Sequence, residues 1–430
     1  MRPSLSTPRR LLTPTRESLL RDFRAHEFRS LLRLAVEVVI IAAGLSWWYL
    51  QAQSPDGPVR GWKAGALFAV GFLGLFDFVV TQFLSNRKAL EDLRPDARFG
   101  PHTRDSLLAA VQRVQARLGL GQQRLRVYLA REKDVNASAM RCELLPGWHL
   151  LNSVQLNRSI VHLLDEKELE SVIGHELGHL FPYAPILRRC MLVHGALAGV
   201  LSLVIAQWLY PADFYVFAPL VAILIGRWFA FSTTGVESRL VEFLCDDFGA
   251  RAAGLTPALT AEIKLGAEHE ARSTLLMRVL EAKLQSGSTP IADLMKEYEN
   301  AMPFGGVQSE EARAQMERGI QARIKQNDET SLMGFFKFAW QGDQTDHTEL
   351  EQELARMRAV REVAKVPLDP ARVLGEPRLM GEMMELLEAY PDRLLFHIPE
   401  EISDRGSSHP NVSRRLLYLW RNRDAIASAV

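Results

Sequence analysis

Two histidines four residues apart, with a glutamate directly after the first, stand in the stretch His175-Glu176-Leu177-Gly178-His179. On a helix, positions i and i+4 lie one above the other on the same face, so both imidazoles can reach one metal ion. Glu176 points to the side, where a carboxylate can hold a water beside the metal and act as its general base. The pattern is H-E-x-x-H, and a chance match is expected in about one chain in a hundred of this length, so context must decide. A catalytic zinc usually takes three protein ligands and a water. This stretch supplies two, so the third must come from another element. Glu242 is the candidate: it stands with Asp246 at i and i+4 in Glu237-Ser-Arg-Leu-Val-Glu-Phe-Leu-Cys-Asp-Asp. A metal-bound histidine normally gives its other ring N–H to a partner, often a carboxylate, and Asp246 can serve His175 in this way. Alone, the same spacing describes a solvated acidic helix face. Beside H-E-x-x-H the ligand reading outweighs it.

These residues need elements that hold them. Leu169, Val172, Ile173, Glu176 and Leu180 recur at three- and four-residue steps, which predicts a helix over 165–180. Asp165 is its N-cap, with Glu168 three residues on to close a capping box, and Pro182 ends it. Ser106 to Leu118 has helical periodicity up to Gly119, and Leu125 to Leu129 alternates like a strand. Val135 to Met140 and Trp148 to Leu151 are further short strand candidates. From Glu237 onward the chain reads as charged helices, broken near Gly254 to Pro257, Gly287 to Pro290, Pro303 to Gly306 and Gln341 to Thr348. Within this polar half Leu332 to Trp340 forms an apolar patch, read as core packing.

Four apolar runs interrupt the chain: Leu31 to Leu50, Trp62 to Leu84, Met191 to Tyr210 and Phe214 to Phe231. A bilayer span needs about 20 apolar residues, so the runs read as two transmembrane hairpins. The first run lacks a small-residue cleavage site and reads as an uncleaved signal anchor. Arginines crowd residues 1–30, Arg87 and Lys88 follow the first hairpin, and Arg188, Arg189 and Arg239 flank the second. The positive-inside bias puts these flanks, and both termini, in the cytoplasm. Glu37, Asp77, Arg227 and His194 fall inside the runs, toward their cytoplasmic ends. Charges there tend to pair, and the expectation is that Asp77 or Glu37 meets Arg227.

The implied divisions are a basic segment 1–30, hairpin 31–84, a first soluble part 85–189 with the motif helix, hairpin 190–231, a second soluble part 232–268 with the third ligand, a charged helical insertion 269–400 and a C-terminal element 401–430. Lys+Arg and Asp+Glu balance at 51 each, which leaves no electrostatic footprint for nucleic acid. Cys142, Cys190 and Cys245 have no C-x-x-C spacing and cannot close a disulfide framework; they read as buried small hydrophobes.

Taken together, these residues resemble the HtpX-type membrane metalloproteases, relatives of the CAAX prenyl endopeptidases in the gluzincin group. The likeness lies in Glu168-Leu169-Glu170-Ser171-Val172-Ile173-Gly174 leading into the motif, and in Ser238-Arg239, Glu242, Asp246 and Phe248-Gly249-Ala250. It continues in Asn136-Ala137-Ser138-Ala139 ahead of the motif helix, and in His409-Pro410 with Arg415 six residues after the histidine. It covers residues 85–255 and a short C-terminal piece. The resemblance implies that His175, His179 and Glu242 bind one Zn2+ per chain, that Glu176 is the general base, and that Asp246 orients a ligand histidine. It implies that Asn136, Ala137, Ser138 and Ala139 hold an extended substrate by main-chain pairing. It gives His409 the role of stabilising the oxyanion and Arg415 that of an ion-pair partner. The sequence departs from the family pattern at Ser138, where an aromatic is usual, at Cys245, where Ala is common, and in the length of chain between Asp246 and His409.

The expected fold is a mainly α integral membrane protein: four transmembrane helices plus a cytoplasmic α+β zincin-type protease domain with a small edge sheet. The expected function is that of a zinc endopeptidase of the inner (plasma) membrane, cutting membrane proteins or their cytoplasmic segments in protein quality control. Its partners are then the lipid bilayer and polypeptide substrates. The alternatives are a CAAX-type prenyl-peptide protease, which four spans rather than a larger helical chamber argue against, and a non-catalytic zinc scaffold, which has no need of Glu176.

Overall fold

The computed structural model describes residues 14–53, 59, 61–76, 87–130, 136–209, 213–231, 234–284, 347–398 and 410–428. The fold is mostly helical with a small sheet. Helix α1 (Arg16–Gln53) begins two residues after Pro14 and runs 38 residues without a break. Residues 16–30 of the basic segment and the first apolar run therefore lie on one helix, and the expected division at residue 30 falls inside it. α2 (Gly61–Leu73) follows and passes into a short 3-10 turn at Gly74–Phe76.

The sheet has the order β1-β4-β6-β5. Its strands are β1 (Arg87–Ala89), β4 (Arg126–Ala130), β5 (Ala137–Glu143) and β6 (His149–Asn157); β2 (Arg98–Phe99) and β3 (His102–Thr103) make a separate ribbon. β4 and β6 are parallel and β5 returns antiparallel on β6. α3 (Arg104–Arg117) links β3 to β4, with Thr103 and Ser106 forming a capping box. α4 (Glu166–Leu180) carries the H-E-x-x-H motif. Asp165 caps it as expected, its side chain accepting from the Lys167 and Glu168 N–H groups while Glu168 accepts from the Asp165 N–H.

α5 (Met191–Leu209) and α6 (Ala218–Phe231) follow. Among the described residues α5 is long and apolar enough to cross a membrane; the apolar stretches Gly61–Phe76 and Phe214–Phe229 are shorter. The structure thus supplies one full-length candidate where four were expected. Asp77 lies outside the described residues. Glu37 meets His194 rather than Arg227: the His194 Nδ1 lies 2.6 Å from the Glu37 carboxylate, and both side chains are fully buried. Arg33 adds a longer contact of 3.9 Å to the same carboxylate.

α7 (Thr234–Ala253) and α8 (Leu255–Leu284) are split by Gly254, whose φ of +104° favours glycine. α8 runs through the expected division at residue 268, because no breaker interrupts it there. α9 (His347–Arg361), α10 (Leu379–Ala389) and α11 (Val412–Arg421) complete the described chain. Two cores matter for the site. One joins Leu169, Ile173 and Leu177 of α4 to Val154 and Leu156 of the sheet and to α3. The other joins Leu244 of α7 and Leu259 of α8 to Leu19 and Phe23 of α1, Met383 of α10, Phe396 and Tyr418. The described later part of the 269–400 stretch is therefore built into the core behind the motif, not set apart as an insertion. The Leu332 to Trp340 patch lies outside the described residues.

Candidate metal centre

α4 and α7 carry the candidate ligands, and glycines let the two helices touch. A Cβ built on Gly174 would stand 2.9 Å from the Gly249 Cα, and one on Gly178 would stand 2.8 Å from the Cys245 Sγ. A Cβ on Gly249 would meet the Ser171 carbonyl oxygen at 2.5 Å and the His175 amide nitrogen at 3.1 Å. Real side chains do not tolerate such contacts, so the interaxial distance is set by hydrogen atoms at these three positions. This close approach brings Glu242 over the two histidines.

The three expected ligands converge. His175 Nε2 lies 3.4 Å and His179 Nε2 3.3 Å from the two Glu242 carboxylate oxygens. The two Nε2 atoms are 3.2 Å apart. Donors placed tetrahedrally about 2.1 Å from a zinc ion lie about 3.4 Å from one another. The observed triangle has that size, and its His2Glu donor set is the one a catalytic zinc takes. The residues present fit the ion.

Asp246 stands one turn beyond Glu242, as its spacing predicted. Its Oδ1 lies 2.8 Å from His175 Nδ1, which fixes the ring and leaves Nε2 for the metal. Arg415 donates to the same carboxylate, with Nε 2.8 Å from Oδ2, and also to Glu262 at 2.8 Å. Arg415 is thus the ion-pair partner expected of it, reaching the site from α11. Burial alone would raise the Asp246 pKa, but the Arg415 guanidinium and His175 hold it below the ordinary carboxylate value. Burial alone would lower that of His175; Asp246 and Glu242 outweigh it and hold the imidazole well above its usual range. The pocket therefore favours positive charge on the face where the three ligands meet. Glu176 is 7% exposed on α4 between the two ligand histidines.

A model of peptidase family M48 matches residues 101–421. The chain belongs to peptidase family M48. No curated protein and no solved structure matches the chain. M48 enzymes are zinc metallopeptidases, and the His175, His179 and Glu242 cluster is the metal site such an enzyme requires.

A strand lies where the sequence placed one. Asn136 precedes β5, and Ala137, Ser138 and Ala139 begin it. β5 is one of the two outer strands of the sheet, and among the described residues no strand pairs with its free side. The Asn157 N–H donates to the Asn136 carbonyl at 3.1 Å, and Ala137 stands opposite Leu156. In an antiparallel ladder this register turns Asn136 and Ser138 toward β6 and leaves the N–H and C=O of Ala137 and Ala139 on the open edge. His409 lies outside the described residues, so the structure does not place it. Cys142, Cys190 and Cys245 are free and buried, as expected. Burial first, then the nearby Glu242 and Asp246, push the Cys245 thiol well above its ordinary pKa, which leaves it unreactive.

Several residues that serve this M48 centre were not singled out from the sequence. Arg141, on β5, donates to the carbonyl of Leu180 at the end of the motif helix and to Glu143. It locks the edge strand to the helix that carries the histidines. Glu262 closes the ion-pair chain from His175 through Asp246 and Arg415. Neither had a local pattern to announce it. Gly174 and Gly178, by contrast, repeat the i, i+4 step of the two histidines, and that small-residue spacing was a signal for close helix packing.

Proposed function

We propose that this M48 peptidase is an HtpX-like, zinc-dependent membrane endopeptidase that cuts membrane proteins or their cytoplasmic segments in protein quality control. The observation that carries this reading is the open edge of β5, a strand that Arg141 bonds to the end of the helix carrying His175 and His179. An extended peptide adds to that edge through the main chain of Ala137 and Ala139, a mode that recognises any unfolded segment rather than one sequence. Broad recognition of extended chain suits an enzyme that removes misfolded protein.

His175, His179 and Glu242 would hold the zinc ion, which when bound would supply Lewis-acid chemistry at the scissile carbonyl. Glu176 takes the proton of the attacking water and passes it to the leaving amine. Asp246 and Arg415 keep His175 in one tautomer and one orientation. His409 is proposed as the donor to the oxyanion on the strength of the family resemblance, supported by the docking of Arg415, six residues later, at Asp246.

The membrane assignment draws on exposed apolar side chains. Val36, Val38 and Val39 on α1, Leu220 and Leu224 on α6, and Val70 on α2 are all exposed. Large exposed apolar patches of this kind mark a membrane or partner surface. Aromatic side chains flank the apolar band of α1: Phe28 at 69% exposure and Tyr49 at 59%. At 1.5 Å per residue they stand about 32 Å apart along the helix, close to the thickness of a bilayer core. Two hairpins with cytoplasmic flanks keep the metal centre at the inner face of the membrane. With detergent-purified protein, casein or self-cleavage should stop on chelation and return on addition of zinc. Cleavage that persists in chelator would overturn the assignment.

A further inference from the structure

The turn between β5 and β6 is built unlike a solvent loop. Its residues Leu145, Pro146, Gly147 and Trp148 carry no charge and are all exposed, Trp148 at 63%. The turn is nevertheless tightly made. Gly147 has a φ of +87°, and its N–H donates at 3.1 Å to the fully buried carboxylate of Glu143. Glu143 is also bound by Arg141 at 2.6 Å and by Arg189 at 3.3 Å. Those two guanidinium groups, with Gly147, hold its pKa below the ordinary carboxylate range against the opposing effect of burial. A rigid support of this quality holds out an indole that touches little of the protein itself.

The level of the turn is fixed by α5. The Leu192 N–H donates to the Leu144 carbonyl at 3.0 Å, so the turn is tied to the second residue of the helix that is long and apolar enough to cross a bilayer. Cys142 of β5 packs with Met191, the first residue of that helix, with Phe76 at the end of the α2 segment alongside. Beyond this contact the strand ends and the apolar tip begins. Arg189, paired with Glu143, lies at the base of the tip, two residues before α5 begins. An exposed Trp and Leu beside arginines at a helix entry is the composition of the membrane–water interface, where indole rings and anionic headgroups meet.

We infer that the Leu145–Trp148 turn is seated in the headgroup region of the cytoplasmic leaflet, so that β5 rises from the membrane surface to the metal centre. This rests on the membrane reading above and deepens it. Peptide that leaves the bilayer next to α5 then meets the β5 edge directly, with Arg141 joining that edge to the motif helix.

The test places single cysteines on the full-length protein and labels them with an NBD fluorophore. Unsubstituted protein, whose three cysteines are buried, gives the labelling blank. The positions are Trp148→Cys, Leu145→Cys, which keeps the indole, Trp208→Cys near the far end of α5, and Ser138→Cys at the end of β5 away from the turn. Each is reconstituted into vesicles of phosphatidylcholine and phosphatidylglycerol in which part of the phosphatidylcholine carries a nitroxide on its headgroup. The inference predicts that labels at 145, 148 and 208 lose emission to the nitroxides, and that the label at 138 does not. Loss at 208 without loss at 145 or 148 would overturn the seated turn and leave the membrane reading intact. No loss at 208 would overturn both. Equal loss at 138 and 148 would mean that the strand lies flat on the bilayer, which contradicts the inference.

Discussion

At the scale of single residues, the metal centre is a chain of charges in which each member sets the next. Glu242 and Asp246 draw positive charge to His175, Arg415 neutralises Asp246 from behind, and Glu262 shares Arg415. Removing one member of a buried set leaves an uncompensated charge, a cost of about 3–5 kcal/mol. Glu262 is the member under most strain. Burial foremost pushes its pKa to about 7, with Arg415 opposing. The folded value lies above that of an unfolded glutamate, so this group favours folding at acid pH and the contribution is lost as pH rises through about 7. Glu262→Gln removes the titration while its amide oxygen still accepts from Arg415. Denaturant unfolding should show the variant no more stable than the parent near pH 4, and gaining on it toward pH 8 by up to about 3 kcal/mol. A stability difference that is constant across that range would contradict the shifted pKa.

At the scale of elements, the site depends on how close α4 and α7 come and on how β5 ends the sheet. Gly249→Ala forces a methyl against the Ser171 carbonyl and the His175 amide. Overpacking of this kind costs about 1–3 kcal/mol, and here it pushes Glu242 away from the histidines. Thermal unfolding and bound zinc should fall together; normal zinc content with only a lower Tm would mean that the ligand triangle tolerates the displacement. Ala139→Pro removes a donor from the open edge of β5 and none from the ladder to β6. Proline is accepted in a strand only where its missing N–H faces outward. The variant should fold, keep zinc and lose kcat/KM for peptides; unchanged peptide kinetics would show that substrates do not pair there.

Local structure was legible in the sequence where one short pattern determines it. The Asp165–Glu168 cap, the motif helix, the break at Gly254 and the strands around Tyr128 and Ser138 all follow from residues within a turn or two of each other, whereas of the strand His149–Asn157 only the start was expected. The pairing of Glu242 with the two histidines was legible only because a metal demands a third ligand. What was not legible depends on distant chain: the parallel partnership of β4 and β6, the Arg141 bond to Leu180, and the turn of Glu37 to His194. Spacing says which side chains share a face, but not which face of another element they meet.

At the scale of the whole molecule, α1 joins the two halves of the account. Its first turns enter the core through Leu19 and Phe23, and Arg16 lies 3.0 Å from the buried Asp247, next in sequence to Asp246. Its later turns carry the exposed valines assigned to lipid. The metal centre and the proposed membrane region are thus held on one continuous rod, with α5 supplying a second tie through β5. The central claim, that His175, His179 and Glu242 hold zinc for a reaction in which Glu176 moves the proton, is tested by measuring zinc content and peptide cleavage in Glu176→Gln beside the unsubstituted protein. Both proteins should carry one zinc per chain, and cleavage should fall by about 10²- to 10⁴-fold in the variant. Cleavage retained by Glu176→Gln, or an active parent without zinc, would contradict it.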